Sequence, residues 1–181
     1  MQAIKRLLRP REATESGRRL FDVAAVHARQ PALYRDAGAP DTYEGRFEVY
    51  TLHIVLVLHR LKGQGPRAAE TAQALFDAYV RNLDDALREM GVGDLSVGKK
   101  MRKLGEAFFG RVKSYDEAFT ALPDPALLKT LMMRTVYADT DGGDVDGLAA
   151  YALACMEALR AQPLETVLGG DLAWPAYGGS R

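Results

Sequence analysis

Apolar residues recur three and four positions apart along almost the whole chain, the spacing that lines one face of an α-helix. Leu20, Val23, Ala24 and His27 mark a first helix, stopped near Pro31, and residues 31–46 read as a Pro/Gly loop with room for one helical turn. The segment RFEVYTLHIVLVLHRLK at 46–62 then places Phe47, Tyr50, Ile54, Leu58 and Leu61 at helical spacing. Its middle is apolar all round, which predicts a central helix surrounded by the others. KGQGP at 62–66 breaks this helix, and Pro66 is suited to the first position of the next. That helix runs to about Met90, with an apolar face of Ala72, Leu75, Phe76, Tyr79, Val80, Leu83, Leu87 and Met90. Its opposite face carries Asp77, Arg81, Asp84, Asp85 and Glu89.

The stretch MGVGDLSVGKK at 90–100 contains G-x-x-x-x-G-K from Gly93, which is one residue short of a phosphate-binding P-loop. Lys100 stands where a magnesium-binding hydroxyl is needed, Asp94 would repel phosphate, and a helix precedes the loop where a strand is required. The glycines therefore predict a helix–loop–helix corner, with Gly91 ending one helix and Asp94 or Ser96 capping the next. In that next helix Val97, Met101, Leu104 and Phe108 form one stripe, and Lys99, Lys100, Arg102 and Lys103 fill the other positions. Between 99 and 113 there are six basic residues and one acid, Glu106. After Gly110 come YDEAF and a helix with Asp124 as its cap and Pro125 as its first residue. The carboxylate-rich loop DTDGGDVDG at 139–147 precedes a last long helix that ends at Pro163.

Strand signals are nearly absent. The expected fold is all-α, a single-domain irregular bundle of about six to eight helices. The expected boundaries are a basic N-terminal tail at 1–16, a helical domain at 17–168, and a flexible C-terminal tail from 169 to 181. Ile4, Leu7 and Leu8 with Lys5, Arg6 and Arg9 offer a short amphipathic anchor, but a frayed basic terminus is the expected reading.

Charge sharpens this picture. Lys and Arg number 24 and so do Asp and Glu, so no global field favours nucleic acid or membrane, and the basic helix stands out as a local patch. The longest apolar run, 52–58, is far below the ~20 residues of a membrane-spanning helix. A lone cysteine, Cys155, excludes a disulfide framework and a Cys-based zinc site. His53 and His59 are six apart and point in different directions, so they are expected as structural core residues and not as a metal pair. The loop at 139–147 fails as an EF-hand, because both registers end on alanine (Ala150 or Ala152) where a bidentate Glu is needed. It is expected to cap a helix. No catalytic constellation, cofactor motif or metal site emerges.

LHIVLVLHRLKGQG at 52–65 and LFDAYVRNLDDALREMGVGDLSVGKKMRKLGEAFFGRVKSYDEAF at 75–119 resemble the ubiquinol–cytochrome c chaperone family. The resemblance covers roughly residues 20–165 and departs from the family pattern at Asn82, Gly98 and Phe109. It implies a non-enzymatic assembly factor for respiratory complex III that binds cytochrome b or another subunit of that complex, alone or with a small partner protein. The 17 arginines against 7 lysines suggest a GC-rich bacterial genome. The implied location is therefore cytoplasmic, peripheral at the inner face of the membrane, with an anionic bilayer or a ribosome as docking surface and no sequence-specific nucleic acid. The expected partner-binding residues are Arg88, Asp94, Lys99, Lys100, Arg102, Lys103, Phe108, Phe109 and Arg111. Met101, Met132 and Met133 are further candidates for apolar client contact, although most of these side chains, Phe108 and Phe109 included, are expected to belong to the core. Two other readings stand beside this one: an adaptor that uses the acidic 77–89 face, and a small helical enzyme with a groove-based site.

Overall fold

In the computed structural model, which describes residues 2–140 and 142–178 (2–11 by backbone alone), helix signals in the sequence become eight helices. They are α1 Gln2–Ala28, α2 Pro31–Arg35, α3 Tyr43–Leu61, α4 Pro66–Glu89, α5 Asp94–Thr120, α6 Ala126–Thr135, α7 Val145–Ala161 and α8 Leu164–Gly169. The all-α expectation holds, and no strand occurs among the described residues.

Helix α3 is the axis. The Thr42 hydroxyl accepts from the Gly45 amide and starts it, and Val49, Leu52, Ile54, Leu56 and Val57 are all buried along its length. Helices α1, α4, α5 and α7 pack around it, α6 joins α5 to α7, and α8 lies on α1. The α1–α4 contact is the most extensive and depends on small residues. Ala13 is buried, and Gly17 lies so close to α4 that a Cβ there would stand 2.5 Å from the Leu75 nitrogen. Helix α1 thus runs unbroken through the expected tail boundary at residue 16. The side chains of the basic segment 2–11, including the residues of the amphipathic anchor, lie outside the described part.

Two polar side chains sit inside the apolar axis with every ring or hydroxyl atom engaged. His53 Nδ1 faces the Val49 carbonyl at 2.8 Å and so must donate, which leaves Nε2 to accept from the Tyr151 hydroxyl at 2.9 Å. The imidazole is therefore neutral, and burial pulls its pKa down to about 4. Thr51 and Tyr79 pair their hydroxyls at 2.9 Å on the opposite side.

The segment 171–178, expected to be mobile, is extended and packed as a strap across α1, α3 and α7. Gln162 clasps Ala173 with both amide groups, at 2.8 and 2.9 Å. The Trp174 indole stacks on His27 and lies 5.4 Å from the His53 ring. Tyr177 is buried, its amide donates to Gln30, and its hydroxyl donates to Asp144. Asp144 in turn caps α7 by accepting from the Gly147 amide at 2.8 Å, the capping role expected of the 139–147 loop. Asp141 lies outside the described residues.

Candidate functional site

The corner between α4 and α5 is made by backbone geometry. Gly91 adopts φ +77°, its amide donates to the Arg88 carbonyl, and the Val92 amide donates to the Leu87 carbonyl. This is the paired closure of a Schellman motif. Gly91→Val should cost about 1–2 kcal/mol, the left-handed penalty of a residue with a Cβ, read as a lower urea midpoint at unchanged slope. Asp94 is not the cap of α5. It is the first helical residue, Gly93 holds the cap position, and no side chain caps the turn. The Asp94 carboxylate is drawn away by Arg88, whose guanidinium reaches Asp84 and Asp94 at 2.6 Å each and staples the corner together. Likewise Asp124 accepts from the Ala126 amide, while α6 begins one residue after Pro125.

Helix α5 is a single rod through Gly105 and Gly110, because Val97, Phe108, Tyr115 and Phe119 continue one buried stripe beneath it. Two of the residues expected at its surface belong elsewhere. Phe108 is only 2% exposed and packs its ring against Phe76 and Tyr79. Arg111 forms a bidentate pair with Glu48 of α3 at 2.7 and 2.8 Å, and this pairing holds its pKa above the ordinary arginine value. It ties α5 to the axis and is not free for a partner. Met132 is likewise fully buried and Met101 half-buried, whereas Met133 faces solvent. Lys99, Lys100, Arg102 and Lys103 are all exposed, and no ion pair engages them among the described residues.

Between α3, α4 and α5 runs an apolar groove of about 880 Å³. Leu58 contributes from α3, Ala69, Ala72 and Phe76 from α4, and Phe109 and Val112 from α5. Phe109 is 61% exposed, and its ring stands 5.4 Å from that of Phe76, so two aromatic faces lie along the groove. The polar rim is sparse: Lys62 bridges to Asp116 at 2.8 Å across one end, and Gln73 turns to Asp77. His59 packs edge-on to Phe119, and burial lowers its pKa. Phe76 was legible only as part of a core face, and Leu58 and Val112 carried no sequence signal separating groove wall from interior.

A second hollow, about 590 Å³, lies between α3, α7 and the α5–α6 loop. Its arginines are already engaged: Arg160 pairs with Glu157, and Arg60 donates to the Leu159 and Gln162 carbonyls. The Cys155 thiol is buried and pushed up to about 12, so it is no nucleophile. Among the described residues no three metal-ligating side chains come together. What the site offers chemically is apolar contact beside a cationic face.

Residues 35–174 match the family described as ubiquinol–cytochrome C chaperone. The chain is 22% identical over 104 residues to ubiquinol-cytochrome-c reductase complex assembly factor 1 of Xenopus laevis, covering 58% of this chain and 51% of that protein. It thus spans about half the length of that curated relative. The crystal structure of the Cbp3 homolog from Brucella abortus is similar with a TM-score of 0.84 and 34% identity, over 97% of each chain. An eight-helix fold shared along nearly its whole length, with the family match spanning the groove and the basic helix, places this chain in the ubiquinol–cytochrome c chaperone family.

Proposed function

We propose that this chain is a non-enzymatic assembly chaperone for ubiquinol–cytochrome c reductase, and that it holds an apolar segment of cytochrome b in the groove between α3, α4 and α5. The observation that supports this reading is the exposed Phe109 beside Phe76 on an otherwise apolar wall. An apolar helix laid into such a groove gains its affinity from buried area, while the sparse polar rim leaves its side-chain sequence loosely specified. That suits a client awaiting insertion into its complex. In this reading the chain works from the membrane surface on the cytoplasmic side, where an apolar client segment meets water before insertion. The adaptor reading, through the acidic 77–89 face, is favoured less, because Asp84 is paired with Arg88 and Asp77 with Gln73.

A photoreactive amino acid in place of Phe109 should cross-link to cytochrome b in growing cells, and one in place of Glu70, on the outer side of α4, should not. Phe109→Glu should lower assembled complex III while leaving cytochrome b transcript and the chaperone's own helicity intact. Normal complex III in cells lacking this chain would sink the reading.

A further inference from the structure

Apart from the groove, the first half of α5 presents a face that the isolated chain has no use for. Leu95 is fully exposed at 101%, and Met90 on the other side of the corner is 53% exposed. Leu95, Lys99, Arg102 and Lys103 recur at i, i+4, i+7 and i+8, so they share one outward side of the helix, with Lys100 on its flank. Lys99 and Lys103, four apart, repel each other, and among the described residues no acid is paired with any of the four cations. Arg88 and Arg111 on either side are both neutralised. Glu106 is the one acid among the cations.

We infer that this face binds an anionic lipid bilayer, with Leu95 and Met90 entering the apolar boundary and Lys99, Lys100, Arg102 and Lys103 resting among the headgroups. Charge complementarity alone would also suit the phosphates of RNA. The apolar pair decides between them. An interfacial helix needs apolar side chains beside its cations, because the bilayer offers an anionic layer over a hydrocarbon one. A phosphate backbone gives an aliphatic side chain nothing to enter, and single strands are held by aromatic stacking and arginine, whereas three of these four cations are lysines. The geometry also joins this face to the groove. Phe109 lies two turns beyond Arg102 on the same side of α5, about 10 Å along the axis. Seating the corner in the headgroups brings the groove mouth to the membrane edge, where an apolar segment is found. The lipid contact itself does not depend on what fills the groove.

The test is flotation of the full chain with phosphatidylcholine vesicles, with and without phosphatidylglycerol, across a salt series. Wild type should float only with the anionic vesicles and be released as salt shortens the Debye length to a few ångströms. Changing Lys99, Lys100, Arg102 and Lys103 together to Gln should weaken binding by several hundredfold, at roughly fivefold per cation. Leu95→Ser should weaken it about tenfold while keeping the wild-type salt slope, because it removes apolar contact and no charge. Phe109→Ser, which adds no charge, should float like wild type while lowering assembled complex III, so the lipid reading and the groove reading fail separately. Wild type left behind at low salt would overturn the inference, and so would Leu95→Ser floating as well as wild type. Purified ribosomal RNA holding wild type and Leu95→Ser equally, with vesicles ignored, would assign the face to nucleic acid instead.

Discussion

Gly17→Val is expected to destabilise the fold by about 3 kcal/mol or more, the upper end of the overpacking range. A glycine in the middle of a helix normally weakens it by about 1 kcal/mol relative to alanine, so helix propensity alone predicts a gain on replacement. Packing reverses the sign. A Cβ at position 17 would lie 2.5 Å from the Leu75 nitrogen and 2.6 Å from Ala74, atoms of the α4 backbone that cannot swing aside as a side chain would. Relief requires α1 to lift off α4 along the most extensive helix contact in the molecule. Gly98→Ala and Gly105→Ala are the controls, because a Cβ at either position meets nothing within 4 Å. Each should gain up to about 1 kcal/mol in urea denaturation, the propensity term without the clash. Equal behaviour of Gly17→Val and the two controls would mean that α1 and α4 do not cross as described.

Lowering the pH from 7 to 4 should remove about 3 kcal/mol of stability through His53 alone. In the folded state its pKa falls from 6.5 to about 4, mainly by burial, opposed by the hydrogen bond to Val49 and reinforced by His27. Above pH 6.5 the ring is neutral whether folded or not, and the full stability is present. Below 6.5 the unfolded chain takes up a proton that the folded chain refuses, so stability declines with each step toward pH 4 and levels off once the folded ring also titrates. The size follows from the fall from 6.5 to about 4, at about 1.36 kcal/mol for each tenfold change in proton affinity, less the part lost because the folded ring itself titrates near pH 4. Burial lowers the His27 pKa as well, so its contribution has the same sign. The arginine-paired carboxylates Asp36, Asp41 and Glu157 are held below 3.8–4.5, so their own losses begin near the lower end of this window. Urea denaturation at fixed pH values measures the slope, and His53→Gln should flatten it. A wild-type stability unchanged between pH 7 and 4.5 would contradict the neutral buried ring.

What the sequence made legible followed from local periodicity. The apolar middle of 46–62 was visible as an axis because no polar stripe interrupts it, and Gly91 was visible as a terminator because few other residues take its φ. Helix α1 was seen only from Leu20 onward. Its earlier turns dock through Ala13 and Gly17, small side chains with almost no hydropathic weight. Arg111 looked like one more cation on a charged helix. Its partner Glu48 was the available signal, a carboxylate in an apolar segment that had to be matched by something brought in from afar. Asp94 missed its expected cap because Arg88, six residues earlier, competes for the same carboxylate. Lys99, Lys100, Arg102 and Lys103 were readable as a patch, yet the exposed Leu95 beside them lay among residues assigned to a turn. The strap was illegible for a different reason: its contacts reach back more than a hundred residues, to Gln30 and His27.

The strap also gives the molecule a built-in optical label. Trp174 is the only tryptophan in the chain, and it stacks on His27 with the rings 21° apart and 5.5 Å between centres. Its emission therefore reports one event, the seating of residues 171–178 over α1 and α3, while circular dichroism follows the helices. Divergence between the two signals in a denaturation series would separate release of the strap from collapse of the bundle, with no dye or engineered probe. Because a protonated imidazole quenches a neighbouring indole more strongly than a neutral one, the same emission would also follow the charge on His27 and, nearer pH 4, on His53, whose ring lies 5.4 Å away.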